Sequence, residues 1–225
     1  MKRATAWDPD LLEIAARLVK PKHCVWDIGT NVGLFSKAAA FHAGGQGRVL
    51  SVEADLDAVA LLYRTSRYRL MDHAEMTVLR VALGAAVGFV RFSIAKRARA
   101  ANSIEGFGST QQGGVAEVRT LPCMTLDTML MDFPAPQVLK IDAEGAELGV
   151  LEGGKQLLTQ SRPAIYCEVS RHASVEVTRL LKAHSYRLWD GHRFEGSLRP
   201  EILIATYNTV ALPEERVGDY ASSNA

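Results

Sequence analysis

The chain has 225 residues, enough for one large domain and too few for two comfortable ones. Lys plus Arg number 26 against 25 for Asp plus Glu, a formal net charge of +1, so no overall field draws it to nucleic acid or an anionic membrane. Cys24, Cys123 and Cys167 are odd in number, far apart and set in apolar runs, which argues for buried reduced thiols in a cytoplasmic protein over a disulfide framework or zinc site.

Residues 1–10 carry no apolar stretch behind their basic residues, so no signal peptide is expected, and no apolar run nears the roughly 20 residues of a membrane span. Asp8-Pro9-Asp10 opens an amphipathic helix that Pro21 closes. Cys24–Ile28 then reads as a strand ending in a glycine-bearing turn, Leu34–Ala43 as a helix stopped at Gly44-Gly45, and Arg48–Glu53 as the second strand. Residues 57–70 form the next helix and 76–83 the third strand. A strand over 87–95 is expected to pair with what precedes it. The stretch 96–114, rich in Ala, Arg, Gly, Ser and Gln, has no sustained period; a loop this long is usually functional or mobile. Beyond it come a short strand at 118–121, a short helix at 125–131, a buried strand at 137–142, a helix at 147–158, a strand at 164–169, a helix at 175–183, and strands at 186–189 and 201–207.

Strands alternating with helices imply βαβ units: an α/β fold with a mainly parallel sheet and helices on both faces. The link between the last two strands, from Asp190-Gly191-His192 to Pro200, is too turn-rich for a crossover helix, so the final strand is expected to run antiparallel. One domain is expected over residues 1–213, with 96–117 as a lid or substrate loop and 214–225 as a flexible tail.

The strongest local pattern is Val25-Trp26-Asp27-Ile28-Gly29-Thr30-Asn31-Val32-Gly33. An apolar strand delivers an acid at its end, and glycines open the following helix. Gly29 permits a tight turn and close approach to a ligand, and Gly33 close packing of helix on strand. Glu53, 20 residues after Gly33 at the end of the second strand, is placed to accept hydrogen bonds from both ribose hydroxyls of an adenosine-type ligand. The pattern is not G-x-G-x-x-G, and a pyrophosphate would not welcome Asp27. A cofactor with a cationic sulfonium and an ammonium would, which tilts the choice from a nicotinamide dinucleotide to S-adenosylmethionine.

These residues, with Thr125-Leu126-Asp127, the run Leu139-Lys140-Ile141-Asp142-Ala143-Glu144-Gly145-Ala146-Glu147, the following Val150-Leu151-Glu152-Gly153-Gly154, and Pro163-Ala164-Ile165-Tyr166-Cys167-Glu168-Val169, resemble the FkbM family of methyltransferases from about Val25 to Trp189. The K-I-D-x-E-G-x-E run is the most specific of them. The resemblance implies a class I Rossmann-like fold with seven core strands and O-methyl transfer from S-adenosylmethionine to a hydroxyl. The sequence departs from the family at Ala54-Asp55, where an acid-proline pair is common; at 61–67, where asparagines are usual; and at Ala82-Leu83-Gly84-Ala85, which lacks an acid often found there.

The expected cofactor contacts are Asp27, Gly29, Thr30, Asn31, Gly33, Glu53, Ala54, Ala82, Leu83 and Asp142. On the catalytic side, Lys140 and Asp142 share a strand face by alternation, with Glu144 at the turn. Asp142 or Glu144 orients the acceptor or takes its proton; Lys140 either stabilises a developing alkoxide or forms a structural ion pair. Glu168 is a second candidate for lining the acceptor pocket, and His172 is either a general base or a surface residue. Asn102 and Ser103 are the expected substrate contacts if 96–117 is a lid, against a solvated basic loop otherwise. No metal site is expected. The expected partner is a small-molecule hydroxyl acceptor, with no nucleic acid or membrane; a homodimer is left open. A non-catalytic S-adenosylmethionine-binding scaffold is the competing reading from another class.

Overall fold

The computed structural model describes residues 8–67, 72–96, 102–106, 114–194 and 200–220. Along the chain run α1 (Pro9–Leu18), β1 (Cys24–Ile28), α2 (Leu34–Ala43), β2 (Arg48–Glu53), α3 (Leu56–Ser66), β3 (Glu75–Arg80), β4 (Ala82–Leu83), β5 (Gly88–Ala95), β6 (Ser103–Ile104) and β7 (Val115–Met124). They are followed by α4 (Leu126–Met129), β8 (Val138–Ile141), α5 (Glu147–Glu152), β9 (Ala164–Glu168), α6 (Ser174–Ala183), β10 (Tyr186–Asp190) and β11 (Asn208–Pro213). Seven strands form a sheet in the order β10-β11-β9-β8-β1-β2-β3. All run parallel except β11, which is antiparallel to both of its neighbours. This is the class I Rossmann-like arrangement with its one reversed strand inserted near an edge.

Strand alternation decides which helices cover which face. Trp26, Ile28, Leu50, Val52, Leu139, Ile141 and Ile165 pack with Leu126, Leu151, Val177 and Leu181 of α4, α5 and α6. Val25, Val49, Val138 and Val210 point the other way, onto Ile14 and Leu18 of α1 and Phe35 and Ala39 of α2. Each such side chain contributes about 1.5–3 kcal/mol on burial. Trp26 is fully buried and donates its indole N–H to the Pro134 carbonyl at 3.1 Å, so its polar atom is not orphaned. α1 starts as expected: the Asp8 carboxylate accepts from the Asp10 and Leu11 amides, with Pro9 in the first turn. The three cysteines are buried and free. Among the described residues, no helix is long and apolar enough to cross a membrane.

The structure departs from expectation in five places. The third strand stops at Arg80; Ala82-Leu83 leave the main sheet and pair with β7. β5 pairs antiparallel with the ten-residue β7 and with β6, not with the chain before it, making a second sheet in the order β4-β7-β5-β6. The expected last strand at 201–207 is irregular, with Leu203 and Ile204 exposed, and the strand is Asn208–Pro213, all six residues buried. Pro213 closes that ladder, where its missing N–H costs nothing. The helix from Glu147 breaks at Gly153-Gly154, where a Cβ on Gly153 would lie 2.2 Å from the Gly84 carbonyl, and resumes at 155 to run into a wide turn over Leu157–Ser161. Glu214–Tyr220 is a tight helical turn rather than a loose tail, pinned by the Lys20 ammonium on the Asp219 carbonyl (2.9 Å) and over the Tyr220 ring. Residues 68–70 of the expected third helix, 97–101 and 107–113 of the expected lid, and 221–225 of the expected tail lie outside the described residues.

Candidate active site

The carboxyl ends of β1, β2 and β8 open onto a solvent-accessible cleft, the place where open α/β sheets bind ligands. The loop after β1 makes its floor. Gly29 has φ +71°, and a Cβ there would sit 1.7 Å from the Asp142 carbonyl oxygen. Its glycine is thus demanded by contact with the loop after β8 as much as by any ligand. Gly33, at φ +89° on the N-terminus of α2, abuts Leu62 of α3 and does not line the cleft. Thr30 is likewise structural, its hydroxyl donating to the Asp27 carbonyl at 2.7 Å. Asn31 does face the cleft, and its backbone N–H donates to Glu53 Oε2 at 2.7 Å while Glu53 Oε1 accepts from the Asp55 N–H at 2.8 Å. Glu53 is 8 % exposed; burial pushes its carboxyl up, against the pull of these backbone donors and of Lys140.

Beneath this floor lies a buried polar network that alternation and register dictate. β1 pairs Asp27 with Ser51 of β2 on one side and Lys140 of β8 on the other, all facing α2. Ser36 of α2 donates to Asp27 Oδ2 (2.6 Å) and shares a 2.7 Å hydrogen bond with Ser51. The Lys140 ammonium stands 3.3 Å from Asp27 Oδ1, 3.3 Å from Asp142 Oδ2, and donates to the Gly29 carbonyl at 2.9 Å. Burial pulls the Lys140 ammonium down, but Asp27, Asp142 and Glu168 more than reverse this and hold it firmly charged. One expectation changes here: Asp27 is fully buried and spends its charge on Lys140, not on the cleft. Of the two readings of Lys140, the structure shows the ion pair, with its donors turned to Gly29, Asp27 and Asp142 and the side chain not among the cleft residues.

Acids gather at the ends of β8 and β9. Asp142 and Glu144 line the cleft. Glu144 is solvent-exposed, sits at φ 49° and has no hydrogen-bond or ion-pair partner among the described residues. Desolvation of its carboxyl by the surrounding loop, then the charges of Asp142, Glu168 and Glu147, push it up to about 7. Glu147 itself is 1 % exposed; it accepts from the Gly145 N–H at 2.6 Å and the Ser170 hydroxyl at 3.1 Å, tying the loop after β8 to the loop after β9. Glu168 is half-buried, bonded by the Tyr207 hydroxyl, and raised by burial and by Asp142. His172 is exposed, 3.4 Å from the Ser170 hydroxyl, and is not among the cleft residues. Among the described residues, no three His, Cys, Asp or Glu side chains converge to hold a metal ion.

Across from Glu53 the wall is apolar: Leu61 of α3, then Val81, Ala82 and Leu83, then Phe92 and Ile104 from the second sheet. Ala82 and Leu83 are legible in the sequence; Phe92 and Ile104 are not, because nothing local announces that β5 and β6 fold back over the cleft. Asn102 also lines it, buried, with its side chain engaged by Asp55 and Ala95; Ser103 is buried in β6 opposite Ser93.

The fit to S-adenosylmethionine is chemical. Each Glu53 oxygen, fixed by one backbone N–H, keeps a lone pair for a ribose hydroxyl. The apolar wall suits a purine, and Asp142 and Glu144 suit a cationic sulfonium and ammonium. A pyrophosphate would face carboxylates with no basic side chain on the cleft among the described residues.

The family described as the methyltransferase FkbM domain matches residues 27–188. Among solved structures, the chain is similar to methyltransferase FkbM from Methylobacillus flagellatus KT (13 % identity, TM-score 0.54), over 91 % of this chain and 58 % of that one. It is also similar to precorrin-6y C5,15-methyltransferase from Geobacter metallireducens GS-15 (14 % identity, TM-score 0.50), over 94 % and 87 %. The chain thus spans 58 % of the length of the first. Identities this low speak to the fold alone. No protein of curated function matches significantly. On the match over residues 27–188, the chain belongs to the FkbM family of S-adenosylmethionine-dependent methyltransferases.

Proposed function

We propose that this methyltransferase acts on oxygen, methylating a hydroxyl of a small molecule, a sugar or natural product, in the cytoplasm. The observation that carries this reading is Glu144: a cleft carboxylate without a partner among the described residues, raised to about 7 by its surroundings. A hydroxyl must surrender its proton to become a good nucleophile, and a base is most effective when its pKa lies near the working pH. S-adenosylmethionine supplies a methyl carbon already activated for in-line displacement. The protein's share is alignment and proton uptake. Asp142, held in place by Lys140, orients the acceptor, and Glu144 takes its proton. An acid-lined mouth and a net charge of +1 favour a neutral small acceptor over nucleic acid.

The experiment is a screen with methyl-labelled S-adenosylmethionine against sugars, phenols and aliphatic alcohols, with amines in parallel. Label is expected on oxygen, with Glu144→Gln slowing transfer about 10²-fold or more near pH 8. Transfer to nitrogen or carbon alone would defeat the proposal.

A further inference from the structure

β6 is two residues long, paired with β5 at Ser93–Ser103 and Phe92–Ile104, with the Glu105 N–H donating to the Arg91 carbonyl at 2.7 Å beyond them. So short a strand needs other anchorage, yet it supplies Ile104 to the cleft wall beside Phe92. The anchorage is side-chain chemistry at both ends: exposed Arg91 pairs with Glu105 beyond Ile104, and buried Asn102 holds the end before Ser103. Asn102 Oδ1 accepts from the Ala95 N–H at 2.8 Å, and its amide donates to Asp55 Oδ2. Asp55 Oδ1 caps α3 through the Asp57 N–H at 2.8 Å, and the Asp55 N–H donates to Glu53 Oε1 at 2.8 Å. One chain of hydrogen bonds therefore runs from β5 through Asn102 and Asp55 to the Glu53 carboxylate. Asp55 is 6 % and Asn102 8 % exposed, so the junction is shielded from competing water.

We propose that Asn102 is a positioning residue for the cofactor: it fastens the second sheet to the Glu53–Asp55 loop, and so sets cofactor affinity rather than contacting the methyl acceptor. Asn102 has its carbonyl and one amide N–H committed to the protein on opposite sides. Loosening it releases Phe92 and Ile104 from the cleft and frees the Asp55 loop whose amide orients Glu53.

The junction admits a swap. In Asp55→Asn/Asn102→Asp every hydrogen bond survives with the donor reversed: residue 102 still accepts from Ala95, residue 55 still accepts from Asp57, and the amide of 55 donates to the carboxylate of 102. Asn102→Asp alone sets two buried carboxylates face to face. The readout is calorimetric affinity for S-adenosylhomocysteine with no acceptor present, so the outcome does not depend on which atom is methylated. Asn102→Asp is expected to weaken binding about tenfold or more, the swap to return it to within about threefold of wild type, and the uncharged Asn102→Ala to weaken it about threefold or more. Hydrogen exchange at the Ala95 amide should quicken in Asn102→Ala without any ligand. Wild-type affinity in Asn102→Ala, or a swap that melts normally and still binds as weakly as Asn102→Asp, would overturn the proposal.

Discussion

Lys140→Met keeps the aliphatic stem of the side chain and removes only its charge. The ammonium lies 3.3 Å from one oxygen of each of Asp27 and Asp142. At an effective dielectric of about 20, each pair is worth ~5 kcal/mol of attraction, much of it offset by the desolvation of three ions. Removing the cation leaves that desolvation uncompensated at Asp27, which is 0 % exposed and keeps only the Ser36 hydroxyl as donor. Asp142, with a side chain 27 % exposed, can turn to water. The expected loss is ~3–5 kcal/mol, or about 10 °C in melting temperature for a domain of this size. Thermal and urea unfolding followed by circular dichroism measure it. Adding Asp27→Asn removes the stranded charge, so the double variant should recover more than half of the loss. The folded-state pKa of Lys140 is raised, so the contribution of the pair is complete below the ordinary lysine value of 10.5 and is lost only as pH rises beyond it. A single-variant loss below ~1 kcal/mol, or a double variant less stable than the single, would refute the charge-balancing role of Lys140.

Glu53→Ala should weaken S-adenosylmethionine binding by ~1–3 kcal/mol in calorimetry, since hydrogen bonds to a charged acceptor are lost; unchanged affinity would remove Glu53 from the site. With Glu144 raised to about 7 and active as its ionised form, kcat/KM should climb as pH rises through about 7, and Glu144→Gln should abolish that limb. The same shift means the folded state holds this proton more tightly than the unfolded chain. Wild type should therefore lose a little stability between about pH 4.5 and 7 that Glu144→Gln does not. Gly29→Ala drives a Cβ to 1.7 Å from the Asp142 carbonyl at φ +71° and should leave little soluble folded protein, whereas Gly149→Ala meets its nearest atom at 3.7 Å and should express normally.

Local pattern revealed what local pattern controls. The alternation of strands and helices, the reversed strand near the end and the turn at Gly29 were all visible, because apolar runs, glycines and turn residues act within a few positions. Tertiary pairing was not. Residues 201–207 have strand composition, but β11 takes the gap between β9 and β10, and the residues at its two ends, Asn208 and Pro213, are of types depleted in strands. The second sheet was missed for the same reason: β5 and β7 are separated by the stretch 96–114, and nothing in either says that they pair. The buried network does leave a trace in the sequence. Asp27, Ser51 and Lys140 are each the one polar residue inside an otherwise apolar strand segment, and polar residues in such runs must find one another across the sheet.

The acids of the cleft are told apart by what they have already been given, not by residue type. Asp27 is matched by Lys140 and a serine; Glu53 is clamped by two backbone N–H groups; Glu147 is committed to Gly145 and Ser170. Asp142 shares the lysine and so keeps a fixed orientation while still lining the cleft. Glu144, on a left-handed turn among three other carboxylates, has no such partner among the described residues, and its proton is the one the site can exchange near neutrality. Orientation and proton transfer therefore separate by mutation. Asp142→Asn leaves Glu144 in place and should lower kcat while retaining a rise of kcat/KM with pH. Glu144→Gln should flatten that rise. If Asp142→Asn flattens the profile and Glu144→Gln does not, the base is Asp142 and not Glu144.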